Sequence, residues 1–175
     1  MNIGFIGFGN IAQAMAQGLI EKHENITQQM YASSYNYEKL VRNTTKYGIY
    51  PCKTNQETVD NSDLIFICVK PYQVKDVLSE LSLENKIIVS LVGGKYNQDY
   101  EEIIPGTHHI ACLPNTAISV AEGVIVVEQT HTLTQEQLHT VHELLSTVAM
   151  LEYVETAKMN IATTIAGCTP AYTAM

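Results

Sequence analysis

Asn2-Ile3-Gly4-Phe5-Ile6-Gly7-Phe8-Gly9-Asn10-Ile11-Ala12 decides the fold. The segment opens as a short apolar run and ends in glycines, after which Ile11, Met15, Gly18 and Leu19 recur at helical spacing. That order predicts a strand, a tight turn and a helix. Gly7 to Ala12 has the form G-x-G-x-x-A, and each small residue has a physical task. Gly7 permits the tight turn, Gly9 lets the backbone approach a bound group, and Ala12 allows the helix to pack closely on the sheet. The helix then presents unpaired N–H groups and the positive end of its dipole to an anion. An ordinary glycine turn is the alternative. The strand before the motif, the helix after it and its place at the N-terminus all favour a dinucleotide site.

Working outward, Met30 to Ser34 reads as a second strand and Glu38 to Lys46 as a helix. Asp63 to Val69 is a continuous apolar run of strand length, as in parallel sheets buried on both faces, and Lys86 to Val92 repeats the buried-strand pattern. Val74, Val77, Leu78 and Leu81 mark a helix between them, and Tyr96 to Ile103 another after Gly93-Gly94. His109 to Leu113, stopped by Pro114, and Gly123 to Glu128 are further strands. Thr134, with Gln137 three residues on, opens a capped helix. The alternation predicts an α/β fold of the Rossmann type, a doubly wound and mainly parallel sheet. Right-handed crossovers gather the loops after Ile6, Val69, Val92 and Leu113 at the carboxyl edge. From Thr156 the composition shifts to Ala, Met, Ile and Thr, read as a helix starting away from the sheet. The division is therefore 1–155 for the dinucleotide-binding domain and 156–175 for the start of a helical second domain.

Composition excludes several classes. The chain has 175 residues, 46% hydrophobic and 16% charged, the balance of a packed domain. A net charge of −8 with no basic run disfavours nucleic acid. No run has the length of a bilayer span and no signal peptide opens the chain, so no membrane and a cytoplasmic location are expected. Cys52, Cys68, Cys112 and Cys168 are scattered without C-x-x-C, and are read as reduced and mostly buried. His139 and His142 beside Glu143 invite a metal, but H-x-x-H-E is not H-E-x-x-H. The stripe Leu138, Val141, Leu145 and Val148 leaves His139 facing water, so no metal is expected.

The cofactor is chosen at the end of the second strand, where an acidic residue would hold the 2′-hydroxyl of NAD. Here Tyr31-Ala32-Ser33-Ser34-Tyr35 has none. Ser33 and Ser34 could donate to a 2′-phosphate, and Lys39 or Arg42 could add positive charge. NADP (NADPH) is the expected cofactor, and a polar strand end without a role is the alternative.

Ile6-Gly-Phe-Gly-Asn-Ile11, Asn55-Gln-Glu57, Cys68-Val-Lys-Pro71, Leu113-Pro-Asn-Thr116 and Gly167-Cys-Thr-Pro-Ala-Tyr172 together resemble, in order, the signature segments of pyrroline-5-carboxylate reductases. The resemblance runs the length of the chain, and its specificity lies in the combination. It implies NADPH-dependent reduction of the cyclic imine 1-pyrroline-5-carboxylate to L-proline, the last step of proline biosynthesis. By the same resemblance Ile6, Gly7, Phe8, Gly9, Asn10 and Ile11 hold the pyrophosphate, Ser33 and Ser34 the adenosine end, and Asn55 the adenine ribose region. Val69, Lys70 and Pro71 flank the nicotinamide, while Pro114, Asn115 and Thr116 line the floor where imine meets nicotinamide. Lys70 could attract the substrate carboxylate, although a lysine at a strand end is more often simply solvated. A protonated imine accepts hydride directly, so orientation and exclusion of water are the main tasks, and no catalytic acid is named.

The chain departs from the family pattern in three places. Ala111 stands where arginine is usual, Ala117 replaces a proline, and Ala166-Gly-Cys-Thr169 replaces Ser-Gly-Ser-Gly. Thr169 matters most, because a β-branched residue restricts a position where glycine allowed close approach. The resemblance also implies a C-terminal helical domain that forms a homo-oligomer and completes the substrate site, of which these residues hold the beginning. The short chain alone is then expected to be weakly active or inactive. The other readings are a related hydroxyacid dehydrogenase and a non-catalytic NADP-binding regulatory relative.

Overall fold

The computed structural model describes the backbone of residues 1–173 and the side chains of residues 1–168. Eight strands form one sheet in the order β3-β2-β1-β4-β5-β6-β7-β8. They are β1 (Ile3–Ile6), β2 (Met30–Ser33), β3 (Tyr50–Pro51), β4 (Leu64–Ile67), β5 (Ile87–Ser90), β6 (His108–Pro114), β7 (Gly123–Glu128) and β8 (Ala149–Val154). The first six run parallel. β7 is antiparallel to β6, and β8 follows β7 in parallel. The helices are α1 (Asn10–Lys22), α2 (Tyr37–Thr45), α3 (Asn55–Asp60), α4 (Val74–Leu78), α5 (Asn97–Ile103), α6 (Gln135–Ser146) and α7 (Met159–Thr173). This is the doubly wound fold that the alternation of elements predicts.

Both faces of the sheet are covered, which is why β1 and β4 carry no polar residue. In β4, Leu64 and Phe66 point to the side of α1 and α6, where they join Phe5, Met15, Leu19 and Leu145. Ile65 and Ile67 point the other way, toward Val74, Leu78 and Tyr100. Each such side chain contributes roughly 1.5–3 kcal/mol through burial. Thr134 caps α6 as its sequence suggests: its Oγ1 accepts from the Gln137 N–H at 3.3 Å, while its own N–H donates to Gln137 Oε1 at 2.9 Å. His139 is exposed on that helix beside Glu143, and His142 Nδ1 lies 3.0 Å from the Tyr153 hydroxyl. Cys52 and Cys112 are buried, whereas Cys68 is half-buried and Cys168 exposed. Among the described residues no helix is long and apolar enough to cross a membrane.

The structure corrects the expectation that the last helix starts away from the sheet. Met159, in the first turn of α7, is fully buried against Leu113 of β6 and Val126 of β7. Polar links hold the same region. The buried Glu128 carboxylate accepts from the Asn97 N–H (2.8 Å) and from the Thr156 hydroxyl (2.6 Å). Tyr96 Oη–H donates to Asn160 Oδ1 at 2.6 Å, and Asn115 Nδ2–H to the Ala166 carbonyl at 3.1 Å. The outward side of the helix keeps Ile161 and Ile165 exposed. Thr169 lies outside the residues whose side chains are described. Ala111 is buried in mid-sheet, paired with Ser90.

Two local packings bear on stability. Gly18 sits where α1 crosses the 3-10 turn Thr116–Val120, and a Cβ there would fall 2.0 Å from the Ile118 carbonyl oxygen. His109, in β6, is enclosed beneath the Tyr100 ring, its Nδ1 3.3 Å from Thr107 Oγ1 and its Nε2 3.7 Å from Glu101 Oε1. Burial holds the imidazole below its usual value, and the Glu101 carboxylate only partly opposes this. The unfolded chain therefore takes up the proton first, so the stability gained from the neutral ring is present above about pH 6.5 and is lost as pH falls below it. Denaturant midpoints measured at about pH 7 and about pH 5 should fall more in the parent than in His109→Phe. Equal falls would place the acid sensitivity elsewhere.

Candidate functional site

The carboxyl edge of the parallel strands opens into a cavity of about 820 Å3. At its centre lies the loop between β1 and α1. Gly7 adopts φ +86°, and a Cβ there would come within 2.8 Å of the Cys68 carbonyl oxygen, so the turn itself demands glycine. Gly9 differs. Its φ of −85° suits any residue, and a Cβ would meet no protein atom within 4 Å. The fold leaves that space open. The N-terminus of α1 borders it, with its first N–H groups unpaired within the helix. The Phe8 ring is buried against Phe5 and Tyr47, so Phe8 offers its backbone to the cavity.

The two ends of the cavity differ in chemistry. Toward β2 and β3 it is lined by Ser34, Tyr35, Lys39, Lys53, Thr54 and Asn55. Toward β4 and β5 it is lined by Cys68, Val69, Pro71, Val77, Leu91 and Val92, with Lys70 at the rim. Lys70 donates its N–H to Gln73 Oε1 at 3.1 Å, which fixes the turn that Pro71 begins. Burial pushes the Cys68 thiol up from its ordinary value, so it stays neutral. Three of the ten cationic side chains line the cavity, and none of the eighteen carboxylates does. In a chain of net charge −8 that distribution is a local inversion suited to an anion. Polar and positive at one end, glycine and helix N-terminus in the middle, apolar at the other: the order matches a phosphorylated nucleoside, a pyrophosphate and a flat ring.

Most of the residues singled out in the sequence converge here: Gly7, Phe8, Gly9, Asn10, Ile11, Ser34, Asn55, Val69, Lys70 and Pro71 all line the cavity. Others do not. Ile6 is buried in β1 beneath the loop. Ser33 is corrected: it is 1% exposed, and its hydroxyl donates to Asn55 Oδ1 at 2.8 Å. Ser33 ends β2 and Ser34 follows it in the loop, and only Ser34 lines the cavity. Arg42 is exposed on α2 and is not part of the lining. Pro114, Asn115 and Thr116 also lie outside it. β6 continues three residues past the Ser90–Ala111 pair that ends β5, and Pro114 pairs with Ile125. Both amide groups of Asn115 are engaged, with the Val124 N–H and the Ala166 carbonyl. Sequence reasoning missed Lys53. It precedes α3, a helix announced only by Thr54 and Glu57 at capping-box spacing.

A family model described as NADP oxidoreductase coenzyme F420-dependent matches residues 2–94, from the start of β1 to the loop after β5. Pyrroline-5-carboxylate reductase of Treponema pallidum (strain Nichols) is 40% identical over 180 residues, covering 99% of this chain and 68% of that protein. The chain belongs to the pyrroline-5-carboxylate reductase family. A solved pyrroline-5-carboxylate reductase from Coxiella burnetii superposes with a TM-score of 0.87 at 25% identity, over 98% of this chain and 66% of that one. The Plasmodium falciparum pyrroline carboxylate reductase, solved with NADP bound, has the same fold, with a TM-score of 0.87 at 22% identity over 99% and 65%. The chain thus spans about two thirds of the length of these members of the pyrroline-5-carboxylate reductase family.

Proposed function

We propose that the chain binds NADPH in this cavity and serves the reduction of 1-pyrroline-5-carboxylate to L-proline, the last step of proline biosynthesis. The observation that carries the reading is the cavity itself: open space over Gly9, three lysines and no carboxylate, in a chain of this family. When bound, the cofactor supplies a hydride from its reduced nicotinamide. Gly7 to Ile11 and the N-terminus of α1 hold the pyrophosphate, with Ser34, Lys39 and Asn55 at the adenosine end. Val69, Pro71, Leu91 and Val92 form an apolar seat that orients the ring and keeps water from it. Lys70, at the rim of that seat, faces the carboxylate of the arriving imine. Pro114, Asn115 and Thr116 belong to the substrate side, where Asn115 fixes the position of α7.

In this reading α7 opens a helical unit that closes the substrate side and pairs subunits, and Ile161 and Ile165 are the apolar surface it covers. Proline formation from pyrroline-5-carboxylate and NADPH tests the proposal. The chain extended by the C-terminal third of the Treponema pallidum relative should turn over at least on the order of a hundredfold faster than residues 1–175 alone, since misplacement by about 1 Å already costs that much. Equal rates would put the whole active site within residues 1–175, and absence of proline formation by the extended chain would sink the substrate assignment.

A further inference from the structure

We propose that Lys53 is a specificity-determining residue for the cofactor, acting with Lys39 as a cationic clamp on the ribose 2′-phosphate. The proposal rests on the reading of the cavity as an NADPH site and names what selects that cofactor over NADH. The two serines at the end of β2 are insufficient. Ser33 is turned into the protein and bonded to Asn55, which leaves Ser34 as one neutral donor for a group carrying nearly two charges. The adenosine end of the cavity holds two cations, and they come from different elements.

Lys39 stands in the first turn of α2, its N–H donating to the capping Asn36 Oδ1 at 2.9 Å. Lys53 comes from a different element, the loop from β3 to α3. That loop is fixed at three consecutive residues. Cys52 N–H donates to the Ala32 carbonyl at 2.7 Å, Lys53 N–H donates to Glu57 Oε2 at 2.7 Å, and Thr54 Oγ1 accepts from the Glu57 N–H at 3.0 Å. Each lysine is thus anchored at its root. Both are exposed, and among the described residues neither takes part in an ion pair. The Glu57 carboxylate is engaged by the Lys53 backbone and does not line the cavity. Two flexible ammonium groups rooted on different elements of one cavity suit a phosphate, which lysine meets as a point charge. A bare 2′-hydroxyl gives them nothing to neutralise.

The experiment is titration of the 175-residue chain and its Lys53→Met and Lys53→Arg variants with NADPH, NADH and 2′,5′-ADP. Lys53→Met should weaken NADPH and 2′,5′-ADP about tenfold and NADH less than about twofold, as loss of one charge-assisted contact predicts. Lys53→Arg should restore the preference, and the salt dependence of NADPH binding should be shallower in the methionine variant. An unchanged ratio of NADPH to NADH affinity in Lys53→Met overturns the clamp, as does an equal loss for both nucleotides. Failure of the parent chain to bind any of the three overturns the clamp together with the nucleotide site. Binding of NADPH without proline formation removes only the substrate assignment and leaves the clamp to be judged by the affinity ratio.

Discussion

Gly9→Val should bind NADPH at least about a hundredfold more weakly than the parent chain, a change of about 3 kcal/mol, while remaining folded. The argument rests on what the protein does not need at this position. Backbone angles at Gly9 are ordinary, and a Cβ would touch nothing, so neither strain nor overlap opposes a side chain. Valine is a poorer N-cap than glycine, which costs no more than about 1 kcal/mol of stability. The branched side chain would instead fill the space kept open beside the N-terminus of α1. Nicotinamide fluorescence gives the affinity and a melting curve the fold. Retained affinity with a normal melt would take the glycine loop out of the binding site. Gly7, two residues earlier, serves the opposite purpose, because its positive φ and the nearby Cys68 carbonyl make it a requirement of the turn. One glycine of the motif belongs to the fold and the other to the ligand.

The second large effect concerns stability. Replacing a glycine inside an exposed helix by alanine ordinarily stabilises it by about 1 kcal/mol. Gly18→Ala should do the reverse and destabilise the protein by about 3 kcal/mol, because the new methyl would fall 2.0 Å from the Ile118 carbonyl oxygen. The overlap is with backbone, so no side-chain rotation relieves it, and α1 must move off the turn that leads into β7. For a chain of this size the melting temperature should drop on the order of 10 °C. Gly9→Ala is the control: it makes the same chemical change in the same segment, and its stability should stay within about 1 kcal/mol of the parent. A rise in melting temperature for Gly18→Ala would mean that α1 and the turn are less closely packed than described.

How far the sequence could be read depended on which residues carry a local signal. β1 and β4 were legible because strands buried on both faces are apolar without interruption, and β5 because only Ser90 breaks its run. β8 escaped notice because it alternates buried and exposed residues at the sheet edge, directly after a helix whose apolar spacing runs into it. β3 has two residues, one of them Pro51, and α3 is six mostly polar residues. Missing that pair of elements is what hid Lys53. The split between Ser33 and Ser34 falls where β2 ends, and neither that end nor the partner that absorbs Ser33 carries a local signal. The placement of Asn115 depends on register, since β6 outlasts β5 by three residues, and no local pattern records how two distant segments align.

α7 is built as a cantilever. Its root is clamped by Met159 in an apolar socket and by Thr156 on Glu128, its span is propped at Ala166 by Asn115, and Ile161 and Ile165 on its outer edge are exposed. A sideways load on that edge has two props to pass through. Asn115 carries it to the end of β6, and the Tyr96–Asn160 bond carries it to the segment that leaves β5 through Gly93, on the wall of the cavity. The outer edge of the helix is thereby tied to the wall of the cavity, with an arm set by the roughly 10 Å between Met159 and Ala166.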